Sequence, residues 1–559
     1  MVFAFSGNLV GANGNQWKHR GILLLVCCLS LGMVQGGPVS GTPAPAADLS
    51  LSNYLQLVLD RNEALMAQLL ETEISRHKAR GEYGIFEPNL MLSAEREQNK
   101  RLNNSFQQSE QGGLLFFHEI NNNYDTAIEQ LMPTGGKVRL GYTLSDLRNN
   151  ITNSISLFNV ANQSMTREYQ TFLGMTLTQP LLKNAGPGVT MAAIRLAALD
   201  SDIAFQLYRR QLMLTVSQAE AAYWNLYFAQ EQLRFFEESV ALAESVLSDS
   251  RERLKAGRAA ELDVLEAQSG LALRKTKQNE ARQSFDDAVG KAMMLYAASP
   301  VEHGPTIRAL DQPSQAKTSL SYSLSFQHAF ESNPEYLAQQ KRLDQERLRL
   351  GVARNQLLPE LNLKGAFGYN GLGLTPGDSL NIVDSQEYPS WSLGVEMNIP
   401  LAGNIKGRHQ LSAAELSIEE AVVNLNSIQT QIANALHMAI SKSRTWQESI
   451  QSYQTVVDFN ESLLKTQMAR LSVGKIEPRR VLEVEADLFE ARQSLADALG
   501  RYQRTLLELE LADGSILKQR NLELTREGLR RRTLSRLKNG SVPLDAFPPT
   551  LNAPATTVN

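Results

Sequence analysis

RNEALMAQLLETEISRHKARGEYGIFEPNLMLSAE, residues 61–95, is matched later in the same chain by SNPEYLAQQKRLDQERLRLGVARNQLLPELNLKGA, residues 332–366. Asn62 aligns with Asn333 and Pro88 with Pro359, both pairs 271 positions apart. A second marker follows in the same order: FLGMTLTQPLL from Phe172 against WSLGVEMNIPL from Trp391, with Gly174 over Gly394 and Pro180 over Pro400. A third is RLKAGRAAELDVLEAQ from Arg253 against RLSVGKIEPRRVLEVE from Arg470. Three markers in one order mean that a single unit has been duplicated. The spacing falls from 271 to 220 to 217 along the chain, so the first copy carries about fifty extra residues, mainly between Pro88 and Pro180.

Within each copy the hydrophobic period changes. Ser52 to Glu87 has a helical pattern that Pro88 ends, because proline can neither donate to the helical ladder nor fit its preceding turn. Alternation follows. Leu361, Leu363, Phe367 and Tyr369 share one face, and Asn362, Lys364, Ala366 and Gly368 share the other. Trp391, Leu393, Val395, Met397 and Ile399 alternate in the same way with Ser392, Gly394, Glu396 and Asn398. Strands of this pattern suit either a barrel with lipid outside and water inside or a half-buried soluble sheet.

The helices favour the barrel. Val189–Ala256 and Arg408–Val473 contain almost no Pro or Gly, and each would be about 100 Å long as a helix. Leu411, Ile418, Leu425, Ile432, Ala439, Trp446 and Tyr453 recur every seventh position, which predicts a left-handed supercoil whose seam weakens past Ala439. The first copy carries two such rows. One holds Leu207, Leu214, Ala221, Phe228, Phe235 and Leu242; the other holds Leu212, Ala219, Leu226, Leu233, Val240 and Leu247. They lie about 140° apart around the helix, so it has neighbours on two sides, as in the wall of a cylinder. Each long helix stops near a glycine, Gly257 or Gly474, and a return helix follows, from about Glu261 to Ala297 and from about Arg479 to Ala512.

Residues 1–47 read as a secretory signal and a small-residue linker. Lys18, His19 and Arg20 precede the apolar run Ile22–Leu31, and cleavage falls near Gly36 or near Ala47. The run is too short for the ~20 residues of a spanning helix. Cys27 and Cys28 both lie in it, with no small residue before either as a lipoprotein signal requires, so the mature chain has no thiol for a disulfide or metal site. The remaining boundaries follow the repeat. Residues 48–298 are the first copy, 299–320 a turn-rich equatorial linker and 321–513 the second copy. Residues 514–559 are a basic, poorly patterned, Pro-ending tail that either wraps the waist or stays disordered. A formal net charge of −4 gives no bias toward nucleic acid.

These markers resemble the TolC family of outer membrane factors. The resemblance covers nearly all of Leu49–Gly514 and is carried by LTQPLL ending at Leu182, AYWNLYFAQEQL from Ala222, AGRAAELDVLEAQ from Ala256, SNPEYLAQQ from Ser332 and IPL ending at Leu401. It implies an α+β membrane protein: a trimeric twelve-stranded transmembrane β-barrel continued by a long periplasmic coiled-coil barrel of α-helices. It also implies the role, an outer-membrane channel of an efflux or type I secretion system. Such a channel conducts passively, with a periplasmic adaptor and an inner-membrane pump as partners and outer-membrane lipid around the barrel. The alternative is a soluble periplasmic coiled-coil scaffold or adaptor, which would leave the duplicated strands unexplained.

The resemblance places a gate after the tip glycines. The matching positions are Asp263 and Glu266 in the first copy and Arg480 and Glu483 in the second. Arg480 stands where an acid is usual, so the ring is mixed in charge, and a pairing of Arg480 with Asp263 or Glu261 of a neighbour would latch the tip. The tripeptides Ala256-Gly257-Arg258 and Val473-Gly474-Lys475 resemble the adaptor-docking motif. The first copy departs from the family pattern by holding four candidate strands. KVRLGYTLSD after the turn at Pro133 alternates cleanly through Val138, Leu140, Tyr142 and Leu144. The extra hairpin either joins the barrel with its turn toward the periplasm or caps the mouth from outside. No cofactor, metal or enzymatic activity is expected. The seven histidines are scattered, His77, His328 and His437 falling on helices, and the chain has no P-loop, dinucleotide fingerprint or nucleophile elbow.

Overall fold

A computed structural model describes residues 47–111, 113–151, 166–296, 307–313, 321–473, 475–522 and 525–531; the expected leader lies outside them. The first copy opens with β1 (Ala47–Leu49), α1 (Leu51–Arg61) and α2 (Glu63–Gly81). Four strands follow: β2 (Asn89–Leu102), then a short α3 (Ser105–Glu110), β3 (Phe116–Leu131), β4 (Lys137–Asn149) and β5 (Thr166–Pro180). A single turn, α4 (Pro187–Thr190), leads into α5 (Ala192–Lys255) and the return helix α6 (Glu261–Met294). The linker contributes β6 (Ile307–Ala309), which pairs in parallel with β1. The second copy repeats the plan with two strands: α7 (Tyr322–Ser332), α8 (Pro334–Gln356), β7 (Glu360–Gly373), α9 (Pro376–Ser385), β8 (Pro389–Asn398), α10 (Ile405–Ser472) and α11 (Pro478–Ala512). A final turn, α12 (Ile516–Gln519), follows.

The duplicated asparagines do the same work twice. Asn62 caps α2 by accepting the Leu65 N–H at 2.9 Å, and its amide donates to the Leu295 carbonyl just past α6 at 2.9 Å. Asn333 caps α8 by accepting from Glu335 and Tyr336 and donates to the Ala512 carbonyl ending α11 at 3.0 Å. In each copy one side chain therefore starts a helix and ties it to the end of the return helix. An N-cap of this kind supplies an acceptor to an otherwise orphaned backbone donor.

At 64 and 68 residues, α5 and α10 run about 96 and 102 Å. The sheet-proximal part of α5 packs on α2 and α8, and the remainder on α6 and α11. The two sequence rows of α5 divide between these last neighbours. Leu212, Ala219 and Leu226 are buried, with Phe285, Ala288 and Ala292 of α6 completing much of that core, and Leu247 is buried farther along against Val264 and Ala267 of α6. Phe228 and Phe235 instead meet α11, Phe235 stacking on Phe489 at 4.9 Å.

On α10 the expected seam holds through Ile432 and Ala439 and then hands over. The row that begins at Leu436 takes over, with Ser443, Ile450, Val457 and Leu471 buried beyond Ala439 together with Gln467, while Tyr453 is exposed. A straight helix drifts ~20° per heptad against a strict seven-residue repeat, so the contact face steps to the next row.

The six long strands form one antiparallel sheet in the order β2-β3-β4-β5-β7-β8. The two copies join where β5 pairs β7, with Gly174 opposite Gly368. The β3–β4 hairpin belongs to the sheet, and its turn does not cap a distal mouth. Met132 to Gly136 form a tight turn with Pro133 second in order and Gly135 at φ +87°, the left-handed position that closes a three-residue loop. This turn lies at the helical end of the sheet. The Gly186 N–H donates to the Thr134 carbonyl at 2.9 Å, and the Gln130 amide donates to the Phe86 carbonyl at 3.0 Å.

The tail contributes to the core as far as Leu529. Ile516 and Leu517 are fully buried against the α1–α5 cluster, and Leu529 joins them. Two adjacent apolar residues show no period, which is why the sequence reads as unpatterned there.

Candidate functional site: the helical tip and the sheet

Both long helices end on the same backbone device. The Arg258 N–H donates to the Arg253 carbonyl at 2.8 Å and the Gly257 N–H to the Leu254 carbonyl at 3.0 Å, with Ala256 as the C-cap and Gly257 at φ +67°. This is the glycine-terminated turn in which a left-handed residue lets late carbonyls find donors. In the second copy Val473 is the C-cap, and the Lys475 N–H makes the equivalent bond to the Arg470 carbonyl at 2.9 Å; Gly474 lies outside the described residues. The two tips are packed together. Val246, Leu247, Val264, Ala267, Leu471 and Val481 form one small core, and the Arg253 guanidinium donates across it to the Leu471 carbonyl.

The four candidate gate residues part company here. Asp263 spends a carboxylate oxygen on its own helix start, accepting the Ala260 N–H at 2.9 Å. Arg480, the aligned residue, cannot accept, and α11 opens instead with Pro478, whose missing N–H is no loss in the first turn. Glu266, Arg480 and Glu483 do come together, through a residue that sequence reading missed. Arg479 donates to Glu483 at 2.9 Å and lies 4.0 Å from Glu266, while Arg480 donates to the other oxygen of Glu483 at 3.1 Å. The bonds from Arg479 and then Arg480 hold the Glu483 carboxyl below its ordinary range. These groups are exposed, so each pair contributes little to stability and can be broken readily. Within the chain, Arg480 is thus paired along its own helix.

A second charge cluster, also unread in the sequence, is buried two turns further up. Arg274 of α6 donates to Glu485 of α11 through Nε at 2.8 Å and also through Nη2, which reaches the Leu482 carbonyl at 3.0 Å as well. The Ser239 hydroxyl of α5 donates to the same carboxylate. Gly270 allows this approach, since a Cβ there would sit 2.8 Å from Leu482 Cδ1.

The sheet has two chemically distinct faces. Register puts Leu90, Leu92, Val138, Leu140, Leu173, Met175, Phe367, Trp391, Leu393 and Val395 on one side, and many of them are strongly exposed, Trp391 at 76%. The other side carries cross-strand ion pairs: Arg139 with Asp125, Lys364 with Glu396, and Lys137 with Glu129 at 3.8 Å. Near the end away from the helices, α9 packs on the apolar side over Gly371, with Ser379 Oγ 2.6 Å from Thr171 Oγ1. Among the described residues no helix is long and apolar enough to cross a membrane, and no group of acidic or histidine side chains could hold a metal.

Residues 326–515 match the family described as outer membrane efflux protein. The chain is 22% identical over 350 residues to the outer membrane protein TolC of Vibrio cholerae, spanning 62% of this chain and 77% of that protein. It is 23% identical over 361 residues to the alkaline protease secretion protein AprF of Pseudomonas aeruginosa, spanning 64% and 72%. Its fold is similar to that of the Campylobacter jejuni CmeC outer membrane channel, with a TM-score of 0.59 at 15% identity over 88% of this chain and 90% of the channel.

Proposed function

We propose, from the premise that this chain belongs to the outer membrane efflux protein family, that it is the outer-membrane duct of an efflux or secretion system. It is a channel and not an enzyme. Three copies form the duct, and a periplasmic adaptor and an inner-membrane pump feed it. The observation that carries this reading is the six-stranded sheet with one apolar and one ion-paired face, rooted on two copies of the same helical hairpin.

Among the described residues the outer edges of β2 and β8 pair with no other strand. Unpaired edges are not tolerated in hydrocarbon, because each open N–H and C=O costs several kcal/mol there. β2 runs away from the helices and β8 runs back, so β8 of one copy meets β2 of the next antiparallel, and the ring closes with alternating directions throughout. Three sheets of six give eighteen strands, not twelve. Barrel diameter grows roughly linearly with strand number, so the pore through the membrane is about 1.5 times wider than a twelve-stranded one. Four long helices per copy still give a twelve-helix wall below, which makes the tips the narrowest point.

The gate is of mixed charge. Glu266 and Glu483 are bracketed by Arg479 and Arg480, and the tripeptides Ala256-Gly257-Arg258 and Val473-Gly474-Lys475 offer the adaptor a turn with little side-chain bulk. Recording from single trimers in planar bilayers tests the whole reading. A low-conductance closed pore is expected, with conductance rising severalfold in Arg479→Ser/Arg480→Ser. If the wild type gave no pore of either conductance, the duct itself would be overturned. A closed-state conductance unchanged by the double variant would remove only the gate.

A further inference from the structure

The apolar face of the sheet does not stay apolar to its far end. Arg148 of β4 and Arg167 of β5 stand directly opposite each other on that face. Like charges directly opposed on a sheet repel, so the arrangement needs an anion. Asp146, buried on the same face, supplies one: Arg167 donates to it through Nε at 2.8 Å and Nη2 at 2.9 Å, Arg148 donates through Nη2 at 2.9 Å, and Asn122 adds a bond at 3.0 Å. One carboxylate against two guanidiniums leaves a positive excess, and each guanidinium has five donors, of which Nε and Nη2 face Asp146.

Register brings further cations to this rim. Arg96 lies in the row of Asn122 and Asp146, and Lys100 lies four residues beyond it on the same face of β2; both are exposed. Among the described strand residues, Asp146 is the only carboxylate on this face. Glu95, Glu97, Glu119 and Glu168 at the same height all point to the opposite face by alternation. Asp378 of α9 lies over Gly373 on this face but accepts from the Thr375 hydroxyl at 2.7 Å, and the loop between β4 and β5, residues 152–165, contains no charged residue.

The height of the rim identifies the partner. Arg148 and Arg167 lie ten residues from Val138 and Leu177 at the helical end of the apolar band. Ten residues rise ~33 Å along a strand, or ~25 Å across a membrane at the usual tilt of about 40°, which is one hydrocarbon thickness. Tyr124, exposed and level with Leu144, lies four residues below, where an aromatic residue suits the interface, and Arg167 stacks on the buried Tyr169 at 4.7 Å.

We propose that Arg148 and Arg167, held side by side by Asp146 and flanked by Arg96 and Lys100, bind the phosphate of a phosphorylated glycolipid in the outer leaflet. The planar guanidinium fork matches phosphate oxygens in pairs. The proposal rests on the reading of the sheet as an outer-membrane wall.

The test uses the full-length protein purified in detergent, mixed with a phosphorylated lipid A or its dephosphorylated form, and native mass spectrometry to count retained lipid. The wild type is expected to retain the phosphorylated form about ten-fold better, the equivalent of about one charge-assisted bond. In Asp146→Asn/Arg148→Gln/Arg167→Gln, which removes the cations without stranding a buried carboxylate, that preference falls to about one. Should this variant fold poorly, Arg96→Gln/Lys100→Gln touches only exposed side chains and should lower the preference about three-fold. A wild-type preference near one, a preference unchanged in the variants, or full displacement by millimolar inorganic phosphate would overturn the proposal. Membrane fractionation separates the two failures: a wild-type chain absent from the outer membrane sinks the wall reading, whereas one present there without the preference sinks only the lipid site.

Discussion

Replacing Arg274 by methionine removes the buried link between the two return helices while roughly conserving side-chain length. Arg274 is 9% exposed, and its guanidinium satisfies Glu485, the Leu482 carbonyl and the Gly270 carbonyl at once. Its loss leaves Glu485, 4% exposed, with the Ser239 hydroxyl as its remaining donor among these groups. Stranding one member of a buried pair costs about 3–5 kcal/mol, because the desolvated charge keeps its penalty and loses its partner. Removing both charges, as in Arg274→Met/Glu485→Leu, should cost far less or nothing, since the desolvation cost disappears with the attraction. A multi-chain membrane protein has no simple two-state unfolding, so the difference is best read locally. Amide hydrogen exchange in α6 and α11 of the intact protein should accelerate by about 150-fold or more in Arg274→Met, since each 1.4 kcal/mol is worth ten-fold. In the double variant, protection should return to within about ten-fold of wild type. Acceleration below about ten-fold in the single variant, or a double variant as exposed as the single one, would refute the claim that this pair clamps the helices.

Two further outcomes are expected. Burial pushes the Glu510 carboxyl up from 4.5 to about 7 beside the Glu220–Arg520 pair, so the folded state holds its proton more tightly than the unfolded chain does. Stability is then lost as pH rises from 4.5 through about 7; Glu510→Gln should leave the melting temperature unchanged at pH 4 and raise it at pH 8, by an amount worth at most about 3 kcal/mol. A variant that melts like the wild type at both pH values would contradict this. At the tip, Gly257→Ala places a Cβ at φ +67° and costs about 1–2 kcal/mol, so trypsin cleavage at Arg258 under native conditions should quicken about ten-fold, and an unchanged rate would argue against the strained turn.

Much of this architecture is legible before any folding is considered, because it depends on local period. The duplication, with Asn62 aligned on Asn333, and the change from helical to alternating pattern at Pro88 and Pro359 are properties of the sequence itself, and the structure carries them at those positions. Alternation even fixes which side chains share a face of each strand, and the clean pattern from Val138 to Leu144 identifies β4. The tip glycine is likewise readable, since a left-handed helix end favours a residue without a Cβ.

Partner choice is another matter. A period of two fixes the face of β5 but not that its neighbour is β7, some two hundred residues away; the order β2-β3-β4-β5-β7-β8 is a property of the folded sheet. The same holds for the Pro133 turn, which meets residues 184–190 only after the hairpin has closed. Arg479, Arg274 and Glu485 resemble many other charges on long helices until packing buries one pair and brings the third beside Glu266. Sequence by itself determined the elements and their faces, because those follow from bonds within a few residues. Tertiary structure decided the neighbours, because a charge or a strand edge acquires its partner, and its energetic weight, only when distant segments exclude water from between them.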